Sequence, residues 1–259
     1  MAGVVVTAAL VIIVAVMSGG GALLLEEEWA LGPFGLAAGL LLMPLVLLPA
    51  AMSTARWVLR MRPGQVCSVT GRFRWRLYWS CTAVSAVVVT VATLASGTWS
   101  GSGGPTLPPQ WPLILLVIAV GVPVAAFAEE FTLRGVLTHV LGARWTRPLV
   151  SVAVPAVGTA VLFSLMHGPA GAVPFLVHAV GGVAFAVLCD RTGGVEASTA
   201  AHTAWNTVLF LTMTLWPVDG AEAAEPALLP MLFTDAALVV VLLLFTARYR
   251  PVRLTEATA

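Results

Sequence analysis

Apolar residues occur in long stretches along this chain, and the segments between them are short and either charged or rich in Gly, Ser and Pro. A helix needs about 20 apolar residues to cross the hydrocarbon core of a bilayer. Eight stretches have roughly that length, near residues 3–25, 33–55, 77–97, 112–141, 149–167, 172–189, 195–216 and 229–247. Because no internal repeat or soluble segment is visible, the pattern predicts an all-α fold. The predicted fold is a polytopic membrane helical bundle of about eight transmembrane helices, which forms one integral membrane domain over residues 1–259.

Composition supports this class. Of the 259 residues, 59% are hydrophobic and 10% are charged, whereas soluble domains are about half apolar and a quarter charged. The three cysteines are widely spaced and form no CxxC, so neither a disulfide framework nor a zinc knuckle is indicated. No basic stretch is interleaved with aromatic residues, and no nucleic-acid partner is expected. Val4–Val16 resembles the core of a signal peptide, but no positive segment precedes it, so a retained first span is predicted.

The charges between the stretches predict an orientation. If the N-terminus is cytoplasmic and the chain alternates sides, every arginine outside the apolar stretches falls on the cytoplasmic side. The acidic residues Glu26 to Glu28, Asp219, Glu222 and Glu225 fall on the other side. Positive charge marks cytoplasmic loops. We therefore expect a multi-pass protein of the cell membrane, N-in and C-in, in a bacterial plasma membrane.

Three charged residues lie inside the fourth stretch: Glu129, Glu130 and Arg134. An ionisable group at membrane depth costs roughly 3 kcal/mol, so such groups usually mark a functional site. Glu130 and Arg134 are four residues apart and can pair on one helix face. Glu129 projects about 100° away around the helix. One carboxylate can thus be neutralised while the other stays free for general acid–base chemistry.

Two further pairs repeat the four-residue spacing on other predicted helices. Phe163 precedes His167 in the fifth stretch, and His202 precedes Asn206 in the seventh. Each pattern alone also fits a structural role, as an interhelical clamp or hydrogen bond. The remaining polar residues of the stretches are expected to have no chemistry: His139 and His178 as packing residues, Glu196 and Asp235 as solvated groups near span ends.

Taken together and in this order, the three motifs resemble the CPBP family of CAAX-protease and bacteriocin-processing intramembrane proteases, which includes type II CAAX prenyl endopeptidases. The resemblance rests on Glu129-Glu130-x3-Arg134, Phe163-x3-His167 and His202-x3-Asn206, and it extends to the turn Asp190–Gly194. It covers about residues 112–210, the expected catalytic core. Glu196, where members more often have an apolar residue, is a departure.

The resemblance implies hydrolysis of a peptide bond in a membrane-embedded or membrane-tethered protein. Glu129 would activate a water that His167 positions, His202 and Asn206 would stabilise the oxyanion, and Glu130 with Arg134 would hold the helix. Members have also been described as metalloproteases, with Glu129, His167 and His202 around zinc, and the sequence leaves both mechanisms open. A CAAX substrate is not expected if the chain is bacterial.

Two other functions stay open. A non-catalytic membrane scaffold or immunity-type protein would bind a partner in the same cavity, and a transporter would relay protons through the same residues. One difficulty concerns the fifth stretch, because a straight helix from Leu149 would carry His167 about 27 Å along its axis, beyond the depth of Glu129. We therefore predict that the segment before Gly158 is bent or lies near the inner surface, with Pro155 as the cause.

Overall fold

A computed structural model describes residues 33–97, 105–168, 171–216 and 228–247. The first predicted span, near residues 3–25, lies outside these ranges. The α-helices are α1 Pro33–Ser53, α2 Pro63–Cys67, α3 Trp75–Ser96, α4 Trp111–Glu130, α5 Thr138–Gly142, α6 Pro148–Met166, α7 Ala172–Thr192, α8 Glu196–Leu215 and α9 Leu228–Thr246. Two π-helical segments, Thr54–Val58 and Phe131–Leu137, follow α1 and α4. Within the described ranges the only β-pairing is an isolated bridge between Ser68 and Gly194, so the all-α prediction is confirmed.

Five helical stretches are long and apolar enough to cross a membrane: Gly39–Val58, Trp75–Ser96, Trp111–Gly142, Pro148–Met166 and Ala172–Thr192. A shorter apolar helix covers Pro230–Thr246. The protein is therefore a multi-pass membrane helical bundle. The number of eight spans and the N-in orientation remain predictions.

Helix α8 is not among those five stretches, and it lies inside the bundle. Its first half is polar, with Ser, Thr and His between alanines, and every residue from Glu196 to Ala204 is buried. The helix packs against α3, α4 and α7. It is therefore shielded by other helices, and its hydroxyl and imidazole groups can bond to protein rather than face acyl chains.

Small residues let the helices approach each other closely. Helices α6 and α7 form an antiparallel pair that shares a long contact surface. A Cβ on Gly182 of α7 would lie 2.8 Å from the Ala160 Cα of α6, a distance that side-chain carbons do not adopt. A glycine at this point is therefore required by the packing, as is common between membrane helices.

Helix α4 continues directly through the π-helical segment Phe131–Leu137 into α5, giving one helical stretch of 32 residues, Trp111–Gly142. The π segment begins immediately after Glu130 and contains Arg134. Single π turns within α-helices are rare and are frequent at functional sites. The sequence pattern did not reveal this one, because Phe, Thr, Leu, Arg, Gly and Val all fit an ordinary helix.

The predictions for Glu196 and Asp235 are wrong, since both residues are buried. Glu196 is 0% exposed and Asp235 is 7% exposed. Arg74 donates from Nε and Nη2 to the two carboxylate oxygens of Glu196, at 2.9 and 2.7 Å. This happens because the loop before α3 folds against the start of α8, where Val195 N donates to Cys67 O at 2.8 Å. A charge near a span end is thus covered by the protein rather than by water.

The fifth predicted span forms helix α6. It is continuous from Pro148 to Met166 and includes Pro155. The hydroxyl of Thr159 donates to Pro155 O at 2.8 Å within the same helix. That the segment before Gly158 is bent or lies near the inner surface stays a prediction. The last turn of α6 still reaches α8, because the Phe163 ring lies 5.6 Å from the ring of His202.

Candidate active site

Glu130 is the centre of a buried network that joins three helical segments. Its Oε1 accepts a hydrogen bond from Arg134 Nη1 at 2.8 Å and lies 3.1 Å from His202 Nδ1. The side chains of Glu130 and Arg134 are both 0% exposed. The predicted four-residue ion pair is thus present, and His202 is part of it. A buried ion pair needs further hydrogen bonds to offset the loss of hydration.

Arg134 obtains those additional contacts from α6 and α7. Its Nη2 donates to Gly182 O at 3.1 Å. Its guanidinium carbon lies 4.7 Å from the centre of the Phe163 ring and 5.6 Å from that of Phe185. A cation over an aromatic face is stabilised by the ring's quadrupole, and more so where water is excluded. Arg134 therefore ties the π segment to both neighbouring helices.

Glu129, the adjacent carboxylate, is bonded differently. It is 7% exposed, and its Oε2 lies 3.9 Å from His202 Nε2, which is too long for a hydrogen bond. In the part of the chain that the structure describes, this buried oxygen has no hydrogen-bond partner. As predicted, Glu130 is paired with Arg134, whereas Glu129 makes no ion pair with that arginine.

The contacts of His202 fix the roles of its two ring nitrogens. A carboxylate accepts hydrogen bonds, so the Nδ1 that lies against Glu130 Oε1 carries a proton. Nε2 then faces Glu129. The ring of Phe185 stacks on the imidazole at 5.3 Å with an interplanar angle of 26°. A carboxylate on one nitrogen and an aromatic face hold the ring orientation, as second-shell groups do in enzyme sites.

His167 lies at the C-terminal end of α6. Its Nδ1 is 2.7 Å from Phe163 O, so Nδ1 donates and Nε2 is left for other partners. The Phe163 ring lies 4.5 Å from the His167 ring and 5.6 Å from the His202 ring. Asn206, one turn after His202 on α8, is half-buried. The motif residues thus come from the α4–π stretch, α6 and α8, and Phe163 lies between the two histidines.

Residues 108–208 match the family described as Type II CAAX prenyl endopeptidase Rce1-like. This segment is similar to Rce1-like domains. It contains all seven motif residues and nearly coincides with the region of resemblance near 112–210, so the resemblance to the CPBP family is confirmed. The family is one of membrane endopeptidases. No curated protein and no solved structure is significantly similar to the chain.

The matched segment also contains site residues that the motifs do not include. Phe185 stacks on His202, Gly182 supplies a carbonyl to Arg134, and the His178 ring stacks on the His167 ring at 4.4 Å. The pair Gly181-Gly182 in an apolar stretch was the available signal for a close helix contact. Nothing in the spacing of His178 distinguished a stacked histidine from a packing residue.

The side chains of the zinc alternative are not arranged as a metal site in this structure. Among the described residues, no group of three or more His, Cys, Asp or Glu is positioned to hold a metal ion. Glu129, His167 and His202 do not form such a group, and the Phe163 ring contacts both imidazoles, at 4.5 Å from His167 and 5.6 Å from His202. Zinc prefers four ligands at about 2 Å in tetrahedral geometry. A zinc site built from these three residues stays a prediction.

A cavity of about 530 Å³ borders Arg134 on the side of α5, α6 and α7. Its lining includes Thr138, His139, Trp145 and Asp190. It therefore combines an aromatic and several aliphatic side chains with a few polar groups, which is typical of pockets for organic ligands. Arg134 is among the residues that line this cavity, and Glu129 is not.

Proposed function

We propose that the protein is an intramembrane endopeptidase in which Glu129 activates a water molecule. The observation that carries the proposal is the buried, unpartnered Oε2 of Glu129, 3.9 Å from a His202 nitrogen. A general base needs a free lone pair and space beside it for the water molecule that gives up the proton. Glu130, by contrast, is tied to its neighbours through Oε1, which contacts both Arg134 and His202.

In this mechanism the water gives a proton to Glu129 as it attacks the substrate carbonyl carbon. His167 accepts a hydrogen bond from the water at Nε2 and so positions it. Collapse of the tetrahedral intermediate breaks the C–N bond, and Glu129 returns the proton to the departing amine. The same group thus serves as base and then as acid.

Two groups of α8 would stabilise the oxyanion, namely His202 and the Asn206 amide. His202 contacts Glu130 Oε1 through Nδ1 at 3.1 Å. A second proton, on Nε2, would let the same ring donate to the oxyanion. Donors held in place before the reaction stabilise developing charge effectively. Glu130 and Arg134 act through His202 rather than on the substrate.

The substrate would be a membrane-embedded or membrane-tethered protein or peptide, because the site lies on helices within the lipid-exposed bundle. The catalytic core would cover about residues 112–210 within a single membrane domain. The bacterial plasma membrane, with both termini in the cytoplasm, is the proposed location. The zinc mechanism remains the alternative prediction for the same residues.

Quantitative proteomics of membranes from cells that carry the wild type or Glu129→Gln tests the proposal. A membrane-derived protein or peptide should accumulate in the variant, and its cleaved product should disappear. Asp235→Asn is the matched control, since it makes the same chemical change in a buried carboxyl outside the motifs. If the two variants give the same membrane proteome as the wild type, the endopeptidase proposal is wrong. Retained binding of a partner without any cleavage would favour the scaffold.

A further inference from the structure

His178 belongs to none of the three motifs, yet it lies directly against one of their residues. Its ring stacks on His167 with centroids 4.4 Å apart and an interplanar angle of 27°. The Phe163 ring approaches both, at 4.5 Å from His167 and 6.1 Å from His178. The His167 imidazole is therefore held between an aromatic ring of its own helix and an imidazole of α7.

Backbone carbonyls fix the same tautomer in both histidines. His167 Nδ1 is 2.7 Å from Phe163 O, and His178 Nδ1 is 2.8 Å from Pro174 O. A carbonyl oxygen only accepts, so each Nδ1 carries a proton, and in the neutral ring the lone pair is on Nε2. The two imidazoles thus share the same ring orientation relative to their helices.

The turn between α6 and α7 is short, and a hydrogen bond across it holds the stack in register. The Ser164 hydroxyl donates to Phe175 O at 2.7 Å. Ser164 is three residues before His167 and Phe175 is three residues before His178. The stacked rings therefore lie one turn from a hydrogen bond that joins the two helices. This bond holds the helical backbones that carry His167 and His178.

We propose that His178 is a positioning residue for His167: by stacking on it, His178 keeps the His167 ring oriented, with Nε2 directed to accept a hydrogen bond from the attacking water. The proposal rests on the proposed function for the catalytic part of that role. The orientation and tautomer of His167 are properties of the protein itself, so they can be tested without a substrate.

The chain has four histidines, which makes nitrogen NMR of the intact protein practical. Full-length protein with ¹⁵N-labelled histidine is studied in lipid nanodiscs over a pH series. In the wild type His167 should be the Nδ1–H tautomer. His178→Phe should keep that tautomer, because a ring still stacks on His167, and His178→Ala should mix the tautomers. His139→Phe is the control, because His139 has the same carbonyl bond without a stacked ring, and it should leave His167 unchanged.

Cleavage provides the second measurement. The membrane peptide that accumulates in Glu129→Gln should also accumulate in His178→Ala, with turnover lowered about 10- to 100-fold, as misplaced catalytic groups produce. His178→Phe should retain most turnover, because it keeps a ring stacked on His167. His167 spectra identical in the wild type and in His178→Ala would overturn the proposal, as would wild-type turnover in His178→Ala. If Glu129→Gln accumulates nothing, the endopeptidase proposal fails while the NMR result still decides the role of His178.

Discussion

Two buried glutamates, Glu196 and Glu130, make ion pairs with arginine, and the comparison separates a structural pair from a candidate catalytic one. Glu196 accepts from Arg74 at both carboxylate oxygens and also from the Arg74 backbone N–H at 2.9 Å. Arg74 Nη2 bonds in addition to Thr192 O at 2.8 Å. Both carboxylate oxygens of Glu196 therefore have hydrogen-bond partners, and in this sense the pair is saturated. It connects the loop before α3 to the start of α8.

The network around Glu130 is not saturated. Glu129 Oε2, Glu130 Oε2 and Arg134 Nε are buried without a hydrogen-bond partner in the described part of the chain. Unsatisfied buried polar atoms are uncommon in folded proteins and each calls for an explanation. They are expected where a site is arranged for a reacting molecule rather than for its own stability. The difference predicts which substitutions reduce catalysis and which reduce stability.

Glu129→Gln should have the largest effect of all, and only on catalysis. Loss of a general base commonly costs about 10²- to 10⁴-fold in rate. Thermal stability should change little, because Glu129 Oε2 has no hydrogen bond to lose in the described structure. Turnover of the accumulating peptide in proteoliposomes and the melting temperature measure the two effects. If Glu129→Gln lowers the melting temperature strongly as well as the turnover, Glu129 has a structural role like that of Glu196.

Glu196→Ala should show the reverse. Removing one partner of a buried ion pair costs about 3–5 kcal/mol, because the other charge is left uncompensated. The Arg74 side chain is 20% exposed and can reach water, so the low end of that range is expected for the free energy of unfolding. Activity per folded molecule should stay near the wild type. The double variant with Arg74→Ala should recover part of the stability, which a double-mutant cycle would quantify.

Glu130→Gln should lie between these two extremes. Its Oε1 contacts both Arg134 and His202, so a neutral amide weakens the ion pair and the orientation of the His202 ring at once. We expect a loss of stability together with a loss of turnover of about tenfold or more. The measurement is the same pair of assays. If turnover falls only in proportion to the folded fraction, Glu130 does not orient the His202 ring for catalysis.

The sequence was sufficient for the helices and for the motif pairing, because both depend on local spacing. Apolar length predicted the helices, and the four-residue interval predicted the Glu130–Arg134 bond. It was not sufficient for contacts between distant segments. The bond from Glu130 to His202 spans 72 residues, and that from Arg74 to Glu196 spans 122. Such contacts depend on how helices pack, which no local pattern records.

The errors have the same origin. Position near a span end predicted that Glu196 is solvated, but the loop before α3 covers it and supplies Arg74. The π segment after Glu130 was equally invisible, because it changes the hydrogen-bond register and not the composition.

Gly182→Ala tests whether close packing supports the unsaturated network. The new Cβ would lie 2.8 Å from Ala160 Cα and 3.2 Å from Arg134 Nη2. Overpacking of a tight contact costs typically 1–3 kcal/mol, so about 1–3 kcal/mol of stability should be lost. Gly158→Ala is the matched control in the same helix pair, because its Cβ would meet only Leu141 Cδ1 at 3.5 Å. Equal melting temperatures for the two variants would contradict the packing argument.

The smallest expected effect is that of metal removal, and it separates the two mechanisms proposed for the same residues. Glu129, His167 and His202 do not form a metal-binding group in the described structure, and glutamate chemistry needs none. Dialysis of the detergent-solubilised protein against a strong zinc chelator should therefore leave turnover and melting temperature unchanged. A loss of activity that zinc alone restores would mean that substrate or metal draws the two imidazoles together past Phe163. The unpartnered Glu129 oxygen would then be a ligand and not a base.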